Sequence, residues 1–300
     1  MASILTNSSA LTALQTLSST NKSLETTQNR ISTGLRIGEA SDNASYWSIA
    51  TSMKSDNKAN SAVQDALGLG AGKVDTAYSA INKIREEVDK MKTKLVSAMG
   101  ASAEDQMKIA TEIEAIQKTI GSAISNANYA GSNLLNAPGG DLNIVASYNR
   151  SGATVTVDTI SLAAADTAVA GTKADAAAGT PASGGMIGDL LSDTFFAPTA
   201  AAAVSDADIG TALNAVEDSL AKLATGAARL GAAKSQIDSQ KSFLSGLSDS
   251  IEKGVGTLVD ADMNKESARL SALQVQQQLG VQALSIANSS NQNILSLFRG

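Results

Sequence analysis

Apolar residues recur along this chain in long runs at helical spacing, and the run at one end mirrors the run at the other. Val259, Met263, Leu270, Leu273, Leu284, Ala287, Ile294 and Phe298 fall on one alternating 3/4 step. That step places them on a single helix stripe. The same stripe carries Glu266, Gln277, Gly280 and Asn291, so it is not uniformly apolar. Near the start, Ala10, Leu14, Leu17, Asn21, Leu24, Gln28, Ile31 and Leu35 keep the same step, again with two amides in it. Helices this polar are marginal alone and draw their stability from packing. Two arrangements fit: each end lies on a globular core, or the ends pair as a coiled coil whose polar seam positions set the register.

Between the ends the pattern predicts more helix. Gly34 and Gly38 close the first helix, and Ser41-Asp42 offers an N-cap to the next. Tyr46, Trp47, Ile49 and Met53 follow, with Trp47 read as a packing residue. Val63, Leu67, Gly70, Val74, Ala77, Ile81, Ile84, Val88, Met91 and Leu95 then alternate steps of 4 and 3. They predict a helix of about 40 residues and ~60 Å. Gly68, Gly70 and Gly72 lower its propensity, which points to close approach of another helix or to local bending. Ser102 and Asp105 restart a helix in capping-box fashion, and Ile109, Ile113, Ile116, Ile120 and Ile124 stripe it.

From Gly131 the texture changes. Pro138-Gly139-Gly140 is a turn, and 142–148 and 154–162 alternate with β-branched residues, which predicts a hairpin. Residues 163–204 are rich in Ala, Gly, Asp and Thr and read as a surface insert with weak structural demands, anchored by Phe195 and Phe196. Then Ile209, Val216, Leu223, Leu230, Ile237, Leu244, Ile251 and Leu258 recur every seven residues, with Leu213, Leu220, Ala227 and Val255 as the second row. Such a repeat predicts a long coiled-coil-like helix. Lys234 and Lys241 interrupt the second row, and Gly254 and Gly256 mark a joint with the terminal seam. The expected fold is mainly α: a long antiparallel coiled-coil-like bundle with paired terminal helices and a small β-rich insert. The expected domains are 1–38 with 257–300, 39–141 with 205–256, and the insert 142–204.

Composition narrows the function. Aromatics are only 3% of the 300 residues, which suits thin helix-on-helix packing better than a thick core. A net charge of -6 and no basic run argue against a nucleic-acid partner. The chain has no Cys and no His, which removes thiol nucleophiles, imidazole acid/base chemistry and the usual zinc sites. Asp158, Asp166, Asp175 and Asp189 are scattered, no Gly-rich phosphate loop follows a strand, and neither catalysis nor a metal or cofactor is expected. The first Lys is Lys22, so the N-terminus makes a poor secretory signal, and any export needs no cleaved leader. No window reaches the apolar length of a membrane span, and the terminal stripes are too lightly basic to lie on a membrane.

Several separate segments carry a resemblance to bacterial flagellins. Residues 29–50, NRISTGLRIGEASDNASYWSIA, resemble the flagellin N-terminal signature, with its core at Ile31-Ser32-Thr33-Gly34-Leu35-Arg36-Ile37. Ile84-Arg85-Glu86 resembles a tripeptide of that family's long helix, Tyr129–Leu135 its closing turn, and 276–300 its C-terminus. The resemblance covers about 1–136 and 210–300 and implies a filament subunit, exported unfolded through the flagellar type III channel with an export chaperone. It further implies polymerisation beneath a filament cap, contact with hook-associated proteins, possible mixing with paralogous subunits, and an extracellular location. A hook–filament junction protein of the same axial family is the alternative. The assembly seam would comprise Ala10, Leu14, Leu17, Leu24, Ile31, Leu35, Met263, Leu270, Leu273, Leu284, Ile294 and Phe298. Arg30, Gly34, Arg36 and Asp42 match a plant-recognised flagellin epitope, and Arg85 and Glu86 match the stretch bound by an animal Toll-like receptor. Asn43, Ser45, Tyr46, Trp47, Lys83 and Glu87 depart from those patterns, so weak recognition is expected in both systems, with Glu87 replacing an apolar anchor. The departures look most like flagellins of rhizobia and their relatives.

Overall fold

The computed structural model describes residues 7–137, 141–152, 154–164, 167–171, 185–192, 195–199 and 203–297. Among these, five α-helices carry the fold: α1 (Ser8–Thr33), α2 (Ala44–Ala98), α3 (Ala103–Asn126), α4 (Asp206–Val259) and α5 (Met263–Leu297). Short strands β1 (Asn128–Tyr129), β2 (Ser132–Asn133) and β3 (Asn136–Ala137) precede the long β4 (Leu142–Ser151) and β5 (Thr154–Leu162); β6 (Ala170–Gly171) follows. The chain divides into two compact units, Met1–Asn57 with Asp249–Gly300, and Lys58–Ser248. The division falls inside α2 and α4, whereas the sequence pattern placed joints near 38 and 256.

In the larger unit, all ten predicted positions from Val63 to Leu95 are buried on α2. Opposite them, Ile209, Val216, Leu223, Leu230, Ile237 and Leu244 of α4 are buried, and Ile113, Ile120 and Ile124 of α3 complete the same core. In the second row of α4, Ala227 and Val255 are buried as expected and Leu213 and Leu220 pack half-buried on the core, while Ala212, Ser219, Gly226 and Ala233, three residues after each seventh position, are buried beside them. Lys234 therefore does not interrupt the seam; it reaches sideways to pair with Asp75 on α2. Capping boxes start two helices. Ser102 accepts from the Asp105 N–H at 3.3 Å and donates to its carboxylate at 2.9 Å. Ser205 accepts from the Asp208 N–H at 3.2 Å. The buried Gln106 ties both starts together, donating to the Ala98 and Val204 carbonyls and accepting from the Val204 N–H at 2.7 Å.

The hairpin forms as the alternation predicts, β4 antiparallel to β5, with a bulge between Val145 and Ser147. Its inner residues Leu142, Ile144, Ile160 and Leu162 join the helical core. This explains the α2 glycines differently from the sequence. A Cβ on Gly70 would sit 2.4 Å from Ile144 Cδ1, and one on Gly72 would sit 2.7 Å from the Tyr129 ring. The close approach is made by the β-region, not by another helix. The insert also carries core: Val169, Ile187 and Leu190 are fully buried with Phe196, and the buried Gln117 of α3 donates to the Leu190 carbonyl at 2.7 Å. Its demands are therefore stronger than its composition suggested, because a few apolar residues plug the core between low-complexity runs. Asp166, Asp175 and Pro181 lie outside the described residues.

Candidate functional site

The smaller unit is built around α1 and α5, which lie antiparallel. Asn7 caps α1 and its side-chain N–H donates to the Ala287 carbonyl at 2.9 Å. Leu17 packs at Gly280, where an added Cβ would lie 3.2 Å from Leu17 Cδ1. Gln277 donates to Asn21 at 2.8 Å, and Arg30 meets Glu266 at 3.5 Å. On α5 the covered positions are Glu266, Leu270, Leu273, Gln277, Gly280, Leu284 and Ala287, the stripe read from the sequence. Met263, at the first turn, is exposed instead. The side chains of Ile294 and Phe298 lie outside the described residues.

On α1 the phase is corrected. Ala10, Leu17, Leu24 and Ile31 are covered as expected, but the alternating buried row is Ala13, Thr20 and Thr27 rather than Leu14 and Gln28, with Asn21 reaching Gln277 from the edge. Thr27 is only 1% exposed while Leu14 is 55% exposed. Small residues let the backbones approach; the threonine hydroxyl of Thr20 is satisfied within its own helix by the Thr16 carbonyl at 2.9 Å. Leu35 also leaves the stripe, since α1 ends at Thr33 with Gly34 left-handed at φ 72°.

A fastened joint follows. The Arg36 and Ile37 N–H groups both donate to the Val259 carbonyl, at 2.6 and 3.2 Å, and Ala261 N–H donates to the Gly34 carbonyl at 2.9 Å. The Arg36 guanidinium donates to the Leu258 carbonyl at 2.8 Å. Asp42 accepts from the Gly38 and Glu39 N–H groups, and these two bonds, Gly38 first, hold its carboxyl below the ordinary aspartate value. The N-cap of α2 is Asn43, which accepts from the Tyr46 N–H at 3.1 Å, not Ser41-Asp42. Ile37, Ala50, Val255 and Val259 form a small core beneath, with Leu35 and Met53 packed on it. Helix α4 passes unbroken through Gly254 and Gly256, and Val259 belongs to it; the break comes at 260–262, where Asp262 caps α5 by accepting from the Asn264 and Lys265 N–H groups. An Asp just before a periodic helix is the sequence signal for this cap.

Gly34, Arg36 and Asp42 thus serve this joint, and Arg30 the α1/α5 pair. Arg85 and Glu86 are exposed on α2, but Glu87 is buried and takes Lys90 at 2.9 Å and Lys83 at 3.6 Å.

Helix α5 has a second face. Val275, Leu279 and Ile286 recur along it at helical spacing and are exposed, as are Leu11 and Leu14 on α1. Among the described residues no group of acidic side chains is arranged to hold a metal, and no helix is long and apolar enough to cross a membrane.

Paired chain ends that keep an uncovered apolar face, on a long-helix bundle, define a structural subunit of the self-associating kind. Residues 4–138 match the bacterial flagellin N-terminal helical region and 213–298 the bacterial flagellin C-terminal helical region. The chain is 77% identical to a flagellin of Brucella melitensis over 300 residues, covering all of both chains. It is 45% identical to flagellin C of Rhizobium meliloti, again over all of both chains, and 36% identical to a flagellin of Bartonella bacilliformis over 94% of this chain and 96% of that one. The chain belongs to the bacterial flagellins. It is a structural subunit of the extracellular flagellar filament, polymerising with its own kind for motility, and the hook-associated alternative is not favoured.

Proposed function

We propose that the α1/α5 pair is the polymerisation element, with Ala10, Leu17, Leu24, Ile31, Leu270, Leu273 and Leu284 closing the pair and the outer face of α5 meeting neighbouring subunits. The carrying observation is that outer face: Val275, Leu279 and Ile286 are more than half exposed, on a helix whose other face is already in use. Leu14 and Met263 belong to the surface that assembly covers, and Ile294 and Phe298 continue the seam spacing of the sequence. The seam is soft, with Thr20, Thr27, Glu266, Gln277 and Gly280 in it, so the pair gains little alone and is poorly ordered before a neighbour adds buried area.

On this basis residues 1–38 with 257–300 are the terminal-helix assembly domain, 39–141 with 205–256 the long-helix bundle domain, and 142–204 the variable insert. The chain is not an enzyme. Its other partners are the type III export apparatus, an export chaperone, the filament cap, hook-associated proteins and paralogous flagellins. Recognition by the plant and animal receptors is weak; full receptor-reporter potency of the purified monomer contradicts that. The assembly reading is tested by electron microscopy of the purified chain after seeding. Filaments are expected from the natural chain and none from Leu273→Asp, which buries an unpaired carboxylate; normal filaments from that variant contradict the assignment.

A further inference from the structure

The hairpin of the larger unit carries an open strand edge. β5 pairs with β4 and, among the described residues, with no other strand. Every residue from Thr154 to Thr159 is exposed, Val155 and Val157 each at 51%. A free edge is a template for another strand, and soluble proteins blunt it with Lys, Pro or a bulge. β5 has neither Lys nor Pro, and the bulge of the hairpin lies on β4, between Val145 and Ser147. The direction of its bonding groups follows from the turn. With two residues between them, Ser151 and Thr154 close the hairpin as a backbone-bonded pair, and such pairs alternate along an antiparallel ladder. Thr154, Thr156 and Asp158 therefore turn N–H and C=O toward β4, and Val155 and Val157 turn theirs outward. Arg150 and Asp158 are the only charged side chains from 142 to 162. Arg150 stays on β4 with its guanidinium on the Tyr148 hydroxyl at 3.2 Å, and Asp158 accepts from the Ser147 hydroxyl at 2.8 Å.

We infer that β5 pairs antiparallel with β5 of a second copy, about a twofold axis through Thr156. In that register Val155 of each copy faces Val157 of the other, and the outward backbone groups of both valines bond across the axis. On the opposite face Thr156 meets Thr156 and each Asp158 meets Thr154, so the two carboxylates lie at opposite ends. A slip of one residue sets outward groups against groups already bonded to β4. A slip that moves the axis to Asp158 sets the carboxylates opposite one another and loses the valine pairs. The occupant is a second copy because the edge complements itself in backbone bonds, apolar pairs and charge, and the chain belongs to a family whose copies gather in one polymer. Pairing also turns a two-stranded ribbon, marginal by itself, into a four-stranded sheet. A twofold contact closes on itself and cannot propagate. It ties copies in pairs through the insert and is separate from the growth assigned to the chain ends.

The chain has no cysteine, so single cysteines placed in the full chain report on the pairing. In unseeded solution with a glutathione exchange buffer, Thr156→Cys links to itself, because an opposed non-bonded pair holds its Cα atoms about 4.5 Å apart, within disulfide reach. Ser161→Cys, exposed on the same strand but beyond the axis, links about tenfold more slowly. Val155→Cys mixed with Val157→Cys links several-fold faster than either alone. Val157→Lys added to Thr156→Cys cuts the cross-link about tenfold, as Lys does on a protected edge, with unchanged helicity by circular dichroism. Leu273→Asp added to Thr156→Cys leaves the cross-link in place. Equal rates at 156 and 161, a cross-link that survives Val157→Lys, or one that disappears with Leu273→Asp overturns the pairing. None of these results touches the assembly assignment, which stands or falls on growth from seeds.

Discussion

At residue scale the informative group is Glu266. The residue is 7% exposed, one carboxylate oxygen meets Arg30 at a long 3.5 Å, and the other is buried with no hydrogen-bond partner among the described residues. A buried ion pair of this kind sets register more than it stabilises. Arg30→Ala should therefore cost about 1–3 kcal/mol, because it strands the charge, whereas Glu266→Leu should be neutral or stabilising. The measurement is the dissociation temperature of seeded filaments, and an unchanged temperature for Arg30→Ala contradicts the role. Glu87 gives a pH signature. The hydrogen bond from Lys90, then the charges of Lys90 and Lys83, hold its carboxyl below the ordinary glutamate value. A group depressed in the folded state stabilises above its unfolded value and loses that contribution as pH falls through the folded one. Glu87→Gln should thus flatten the acid side of the chain's stability profile below about pH 4.5, measured by helicity against pH. A parallel acid limb in both proteins contradicts it.

At element scale, helix existence and most inward faces were legible, because a 3/4 step of Leu, Ile and Val over many turns has no other physical explanation. The second row on α1 differs from the apolar pattern. Leu14 outweighs Ala13 in apolar character, yet Ala13 is covered and Leu14 is not; on α4 Ala212 and Ser219 are buried more deeply than the half-buried Leu213 and Leu220. Transfer free energy favours the larger residue, but tightly packed helices favour the smaller one, and only the packing distance decides. The α2 glycines separate these effects. Gly68→Ala meets nothing within 4 Å and should stabilise by up to ~1 kcal/mol. Gly70→Ala would push against three Ile144 atoms at 2.4–2.9 Å and should destabilise by about 1–3 kcal/mol despite the better propensity. In an Ile144→Ala background, itself destabilised, the added cost of Gly70→Ala should shrink. Urea unfolding of the three variants checks the order, and Gly70→Ala at least as stable as the natural chain contradicts the packing.

At the scale of the whole molecule, the order of helices, the hairpin and the pairing of the two ends could be read from the pattern, and the resemblance of separate motifs gave the family. The joint at 34–42 and 258–262 was marked in the sequence only by its glycines, because the backbone bonds from Arg36, Ile37 and Ala261 that fasten it carry no side-chain periodicity. The core carried by Val169, Ile187, Leu190 and Phe196 was hidden by the Ala- and Gly-rich runs around it. Replacing those four by Ser should lower bundle stability, while substitutions at exposed Thr154 and Thr156 should not. The central claim is that the chain ends, not the bundle, drive polymerisation. Its most direct test is seeded growth of a chain lacking residues 281–300, followed by electron microscopy, with circular dichroism on the unseeded sample. The prediction is a folded helical bundle that adds nothing to the seeds. Filaments of ordinary length from the truncated chain would contradict it.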